Sequence, residues 1–149
     1  MTPQLDPGTI ALCNAGFGDV VISSWSAANL GNIDLKCGDG NSGYVHIRGQ
    51  HEGEWQDLID YGGGGALWDD LMAFSVGGSL TSPTPGLPSD VGSNKYCYST
   101  PLVITRSDGA TSTWNPTIIV SVNNARVITA YPTRNNEWIP RVLTSLSIH

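Results

Sequence analysis

The chain has 149 residues, 13% of them charged, with 7 Lys+Arg against 13 Asp+Glu and a formal net charge of -6. Its length suits one domain spanning residues 1–149 and able to bury about two-thirds of its unfolded surface. The low charge, the absence of a heptad or G-X-Y pattern and the absence of a long apolar run exclude a coiled coil, a collagen repeat, a basic nucleic-acid tail and a transmembrane helix.

In chain order, residues 1–18 read as a lead-in of Pro, Gly and small side chains, with no basic or apolar start of the kind a signal peptide needs. Residues 20–30 predict a short helix stopped by Gly31. Residues 36–43, KCGDGNSG, are loop chemistry. Ile47, Gln50/His51, Trp55 and Leu58/Ile59 recur at helical spacing and predict a helix over 46–60, interrupted or delayed by Gly49 and Gly53. Four glycines at 62–65 break it. A second helix over 66–75 places Leu67, Leu71 and Phe74 on one face. Residues 77–94 read as a long connection rich in Gly, Ser, Thr and Pro.

Strands dominate from there. Residues 96–106 are β-rich, with Pro101 marking an edge or a bend. Ser107-Asp108-Gly109 is a turn, and 110–114 a short strand. Strands at 117–122 and 126–131 flank a tight hairpin at Asn123-Asn124-Ala125. Trp138 and Val142-Leu143 suggest a last strand or docking turn. The order predicts an α+β fold, with N-terminal helices packed on an antiparallel sheet of four or so strands formed mainly by the C-terminal half. The other face of that sheet would be free to form a substrate cleft.

Charge is unevenly spread. Residues 1–75 hold ten acids and two bases, whereas 76–149 hold three acids and five bases, which points to a polar partner on the second half. Cys13, Cys37 and Cys97 lie far apart without a CxxC, so zinc-ligand spacing is missing. One disulfide plus a free thiol, or three thiols, both fit, and neither makes a disulfide scaffold.

Two constellations could carry chemistry. Thr129 and Tyr131 alternate on a strand, so their hydroxyls share a face and could both donate to a phosphate or an oxyanion. His46, Arg48 and His51 lie within six residues. Imidazole suits proton transfer near neutral pH, and a guanidinium can hold a phosphate bidentately. Positions five apart on a helix do not face each other well, so one histidine is expected to act as acid or base with the other in support. Lys95 at a strand edge guards against aggregation or binds phosphate, and Ser112 and Thr113 are hydroxyls at a strand end. Asp69 and Asp70 are the carboxylates available to a glycosidase-like reading. Neither a nucleophile elbow, a P-loop nor a dinucleotide fingerprint occurs.

The pattern Gly-Tyr-x-His-Ile-x-x-x-His-x-x-x-Trp at 43–55, followed by strands and by Val-Ile-Thr-Ala-Tyr-Pro at 127–132, resembles the C-terminal toxin domains of bacterial polymorphic and contact-dependent inhibition systems. Many of these are metal-independent ribonucleases of barnase/EndoU/colicin/RelE-like or RNase A-like fold. In the RNase A-like toxins a histidine and an arginine act with a C-terminal Thr-x-Tyr pair, which maps here to Thr129 and Tyr131, with the histidine at His51 or His46. Arg48 lies between the histidines rather than downstream of them, a departure from that pattern.

The resemblance implies transesterification of RNA. One histidine takes the 2′-OH proton, the 2′-oxygen attacks phosphorus, and Arg48, Lys95, Thr129 and Tyr131 are placed to stabilise the phosphorane. The other histidine or Tyr131 protonates the leaving 5′-oxygen, and a 2′,3′-cyclic phosphate results. No cofactor or metal is expected. The implied partners are an RNA substrate, tRNA among the options, and a cognate immunity protein. The implied setting is a secreted or surface-delivered effector, the end of a larger protein, acting in the target-cell cytoplasm.

Two rivals make different demands. A β-rich binding module using tryptophans such as Trp25, Trp55, Trp68, Trp114 and Trp138 would leave His46, His51 and Tyr131 scattered in space. An ADP-ribosyltransferase would need Arg48, the Ser112-Thr113 strand and Glu137 together.

Overall fold

A computed structural model describes residues 5–134. Helix α1 (Pro7–Asn14) begins where the Asp6 carboxylate accepts the Thr9 N–H, with proline in the first turn, where a missing N–H costs nothing. Strands β1 (Val21–Ala27) and β2 (Gly31–Lys36) then pair antiparallel. The helix expected over 20–30 is therefore a strand and a turn. Val21 and Ile22 are β-branched, and three serines follow that compete with helical backbone bonds. Asn29, at φ 71, reverses the chain from the left-handed region that asparagine tolerates.

The expected central helices are present as α2 (Tyr44–Tyr61) and α3 (Trp68–Thr81). Helix α3 outruns its expected end. Val76 and Leu80 continue its buried face, and Gly77 lies against β1 so closely that a Cβ there would stand 2.6 Å from Trp25 Nε1. Glycine at 77 is thus a packing device, and the connection expected over 77–94 starts only after Thr81 and is interrupted by β3 (Ser89–Asp90).

The second half supplies β4 (Lys95–Tyr98), β5 (Leu102–Thr105), β6 (Thr111–Trp114), β7 (Thr117–Ser121) and β8 (Arg126–Tyr131). The hairpin between β7 and β8 turns through Asn123, Asn124 and Ala125 as expected, with Ala125 at φ 53. The fold is α+β. Its main sheet has six strands in the order β1-β2-β8-β7-β4-β3, and β5 and β6 form a separate ribbon. The sheet is mixed rather than antiparallel throughout, because β2 meets β8 in parallel at Asp34 and Arg126. Helices α2 and α3 pack on each other and on this sheet. Ile47, Trp55 and Leu58 of α2 and Met72, Val76 and Leu80 of α3 share one core with Ile118, Val120 and Val127. The residues expected to form a last strand, around Trp138 and Val142-Leu143, lie outside those described. Among the described residues no helix is long and apolar enough to cross a membrane.

Cys13 and Cys37 form a disulfide, while Cys97 is a buried thiol. Burial pushes the Cys97 thiol up to about 12, so it is neither ionised nor reachable in the folded protein. A thiol reagent at about pH 8 is expected to find no reactive cysteine in the native protein, one after denaturation, and three after denaturation with reduction. A thiol titrating in the native protein would contradict this burial.

Candidate active site

The site forms where the sheet is wedged open. Strand β2 pairs with β8 at Asp34–Arg126, and farther along β8 its edge is taken over by α2. The Gly43 N–H donates to the Ile128 carbonyl at 3.0 Å, and the Trp55 indole N–H donates to the Ala130 carbonyl at 3.1 Å. Two backbone acceptors that a neighbouring strand would have used are thus satisfied by a helix start and a helix side chain. The loop before α2 makes this docking possible. Gly38, at φ +67, sits where a Cβ would come 1.9 Å from the Ser42 carbonyl, and Val45 N–H donates to Cys37 O at 2.9 Å.

With α2 held along β8, residues distant in sequence meet. The His51 imidazole stacks on the Tyr131 ring, centroids 4.7 Å apart and planes 28° from parallel. The His46 ring stands edge-on to His51 at 6.3 Å. Positions five apart diverge by about 140° around a helix, and the two rings nevertheless reach the same region. His51 Nδ1 lies 3.0 Å from Glu54 Oε1, and His46 Nδ1 lies 2.9 Å from the Gly40 carbonyl. Carboxylate and carbonyl oxygens can only accept, so each Nδ1 carries a proton toward its partner. Among the described residues no hydrogen bond engages either Nε2. The His51 side chain is 20% exposed, enough for a ligand to reach it.

Thr129 alternates with Tyr131 on β8 and so shares its face. Its Oγ1 is buried and has no hydrogen-bond partner among the described residues. A buried hydroxyl without a partner is costly to leave unmade, and this one belongs to the strand that carries the stacked tyrosine.

The other expected site residues lie elsewhere. The Arg48 guanidinium donates to Asn14 Oδ1 of α1 and rests 5.5 Å from the centre of the Tyr44 ring. Lys95 pairs with Ser121, at the opposite end of β7 from the Thr117–Tyr131 pair, or about 13 Å along the strand at ~3.3 Å per residue. Thr113 faces Val103 on the separate β5–β6 ribbon, next to Ser112. Asp69 and Asp70 are buried structural acceptors. Asp69 takes the Tyr44 hydroxyl and Asp70 the Leu5 N–H, each at 2.7 Å. Burial first, then the Asp69 carboxylate, raises the Tyr44 phenol and keeps it protonated. Arg48 and the Ser112-Thr113 strand do not converge as an ADP-ribosyltransferase would require, and Glu137 lies outside the described residues.

Glu54 was not among the expected residues. The signal for it was available as His-x-x-Glu, since positions three apart are neighbours on a helix. Among the described residues no group of three or more His, Cys, Asp or Glu side chains gathers as a metal ligand set. No protein-family model matches the chain, and no curated protein matches it at a significant level.

Proposed function

We propose that this chain is a ribonuclease domain of the toxin type, cleaving RNA by 2′-OH transesterification through His51, His46, Thr129 and Tyr131. The observation that carries the reading is the stack of His51 on Tyr131 with His46 edge-on beside it. A binding module would have no reason to bring these residues together, and their union favours the catalytic reading over that rival. His51 acts as base. Its Nδ1–H is directed at Glu54, which leaves Nε2 for the 2′-OH proton and supplies a carboxylate beside the imidazolium that forms. His46, protonated on Nε2, gives its proton to the leaving 5′-oxygen. Tyr131 and Thr129 donate hydrogen bonds to the non-bridging oxygens as charge builds on them. RNA is the substrate because DNA lacks the nucleophile this scheme needs. Action in a target cell, with an immunity protein that covers these residues in the producer, belongs to the same reading.

The test is incubation of the purified chain with total bacterial RNA in EDTA. Discrete products ending in 2′,3′-cyclic phosphate are expected, with DNA left intact. Tyr131→Phe keeps the stacked ring and removes one donor, and is expected to slow cleavage about tenfold, the worth of one hydrogen bond to a charged group. RNA left whole, or DNA cut equally well, would reject the scheme.

A further inference from the structure

Arg48 and His51 are one turn apart on α2, near enough to serve a single phosphate. Arginine is also the side chain best shaped to grip one. Yet its guanidinium is turned to α1, where Asn14 Oδ1 accepts from it. Asn14 directly follows Cys13, and Cys13 is bonded to Cys37, whose carbonyl accepts the Val45 N–H in the first turn of α2. The disulfide therefore fixes the position of Asn14 relative to the helix that carries both histidines. Beyond the disulfide, α1 is held by Ile10 packed on the edge of the core and by the chain that follows it, where Gly38 N–H donates to the Gly18 carbonyl. The helix has eight residues, too few to be helical alone. Cys13 is its one buried residue, and its N-terminal side is tied by the Leu5–Asp70 hydrogen bond.

We propose that the Cys13–Cys37 disulfide is a redox latch on the active site. Oxidised, it holds Asn14 against Arg48 and keeps the guanidinium away from the histidines. Reduced, it lets α1 loosen, and Arg48 turns to the phosphate at His51 and Tyr131. The inference rests on the ribonuclease reading and adds its regulation. The reductant is a thiol. Its thiolate attacks Cys13 Sγ and expels Cys37 as a thiolate, which takes up a proton. A second thiol then attacks the mixed disulfide, releases Cys13 as a thiol and leaves the reductant as its own disulfide. Both cysteines are buried, at 3% and 0% exposure, so attack on the disulfide waits on local opening of α1, and activation should show a lag. Such a protein would be restrained where disulfides persist and released in a reducing cytoplasm.

The test compares oxidised and dithiothreitol-reduced full chain, with thiols counted, on a labelled RNA and on its uncleavable 2′-deoxy analogue. Reduction is expected to raise cleavage and analogue affinity on the order of tenfold, as one charge-assisted hydrogen bond to phosphate would. Asn14→Ala, with the disulfide intact, should reproduce the gain, and Arg48→Ala should abolish it. The Asn14→Ala arm also decides the matter if the reduced protein unfolds. Equal rates in the oxidised, reduced and Asn14→Ala proteins would overturn the latch and leave the ribonuclease standing. A gain that survives in Arg48→Ala would also overturn it. If no form cleaves RNA, the ribonuclease reading falls, and analogue binding still reports whether Arg48 was released.

Discussion

His51→Ala is expected to lower the rate of RNA cleavage by at least about a hundredfold, within the range for loss of a positioned general base. The fold should survive, because His51 is partly exposed and its hydrogen bond with Glu54 lies at the surface, where such contacts add little stability. His46→Ala should also be slow, for a different reason that can be measured. A substrate whose leaving group departs without protonation, such as a nitrophenyl ester of a nucleoside 3′-phosphate, has no need of the acid. On that substrate His46→Ala should recover most of its rate, while His51→Ala should not. Recovery of His51→Ala instead would exchange the two roles. Recovery of neither would mean that both histidines act on the attacking side, and the division of labour drawn from Glu54 would be lost.

The residues of this site differ in how far the sequence could reveal them. Helix α2 was legible because Ile47, Trp55 and Leu58 form a stripe at helical period, and because a single face of a long helix is buried. The β7–β8 hairpin was legible from its β-branched runs and Asn-Asn turn. The stretch from 20 to 30 is ambiguous in sequence, because Val21-Ile22 and the alanines fit either period over so short a span, and it forms β1 rather than a helix. The sheet consequently gained two strands from the first half of the chain. Residue types nominated both histidines and the Thr-x-Tyr pair, but their union depends on α2 replacing a strand at the edge of β8, a tertiary event with no local signature. The position of Arg48 is hidden from the sequence for the same reason. Its partner, Asn14, is on a helix read as lead-in, and that helix is held by a disulfide whose pairing three scattered cysteines do not dictate.

Trp55 is where the fold and the site depend on the same atoms. Its side chain is fully buried, and its indole N–H donates to the carbonyl of Ala130, the residue between Thr129 and Tyr131. Trp55→Ala is expected to cost about 3–5 kcal/mol, through lost apolar burial and the cavity left behind. Against a typical total of ~5–15 kcal/mol, that would leave the protein marginal, and the measurement is a urea unfolding curve. Trp55→Phe separates the two contributions. It keeps most of the ring and removes the donor, leaving a buried carbonyl unpaired at a cost of about 1–3 kcal/mol. That carbonyl belongs to β8 beyond its pairing with β2, so the indole N–H takes the place of a strand neighbour there and works beside the His51–Tyr131 stack and the core packing of Ala130 in holding β8 to α2. Trp55→Phe should therefore lose cleavage more steeply than the fraction of unfolded protein accounts for, since the His51–Tyr131 stack needs α2 and β8 at a fixed separation. Activity that simply tracks the folded fraction would mean that Gly43 and the core alone set that separation.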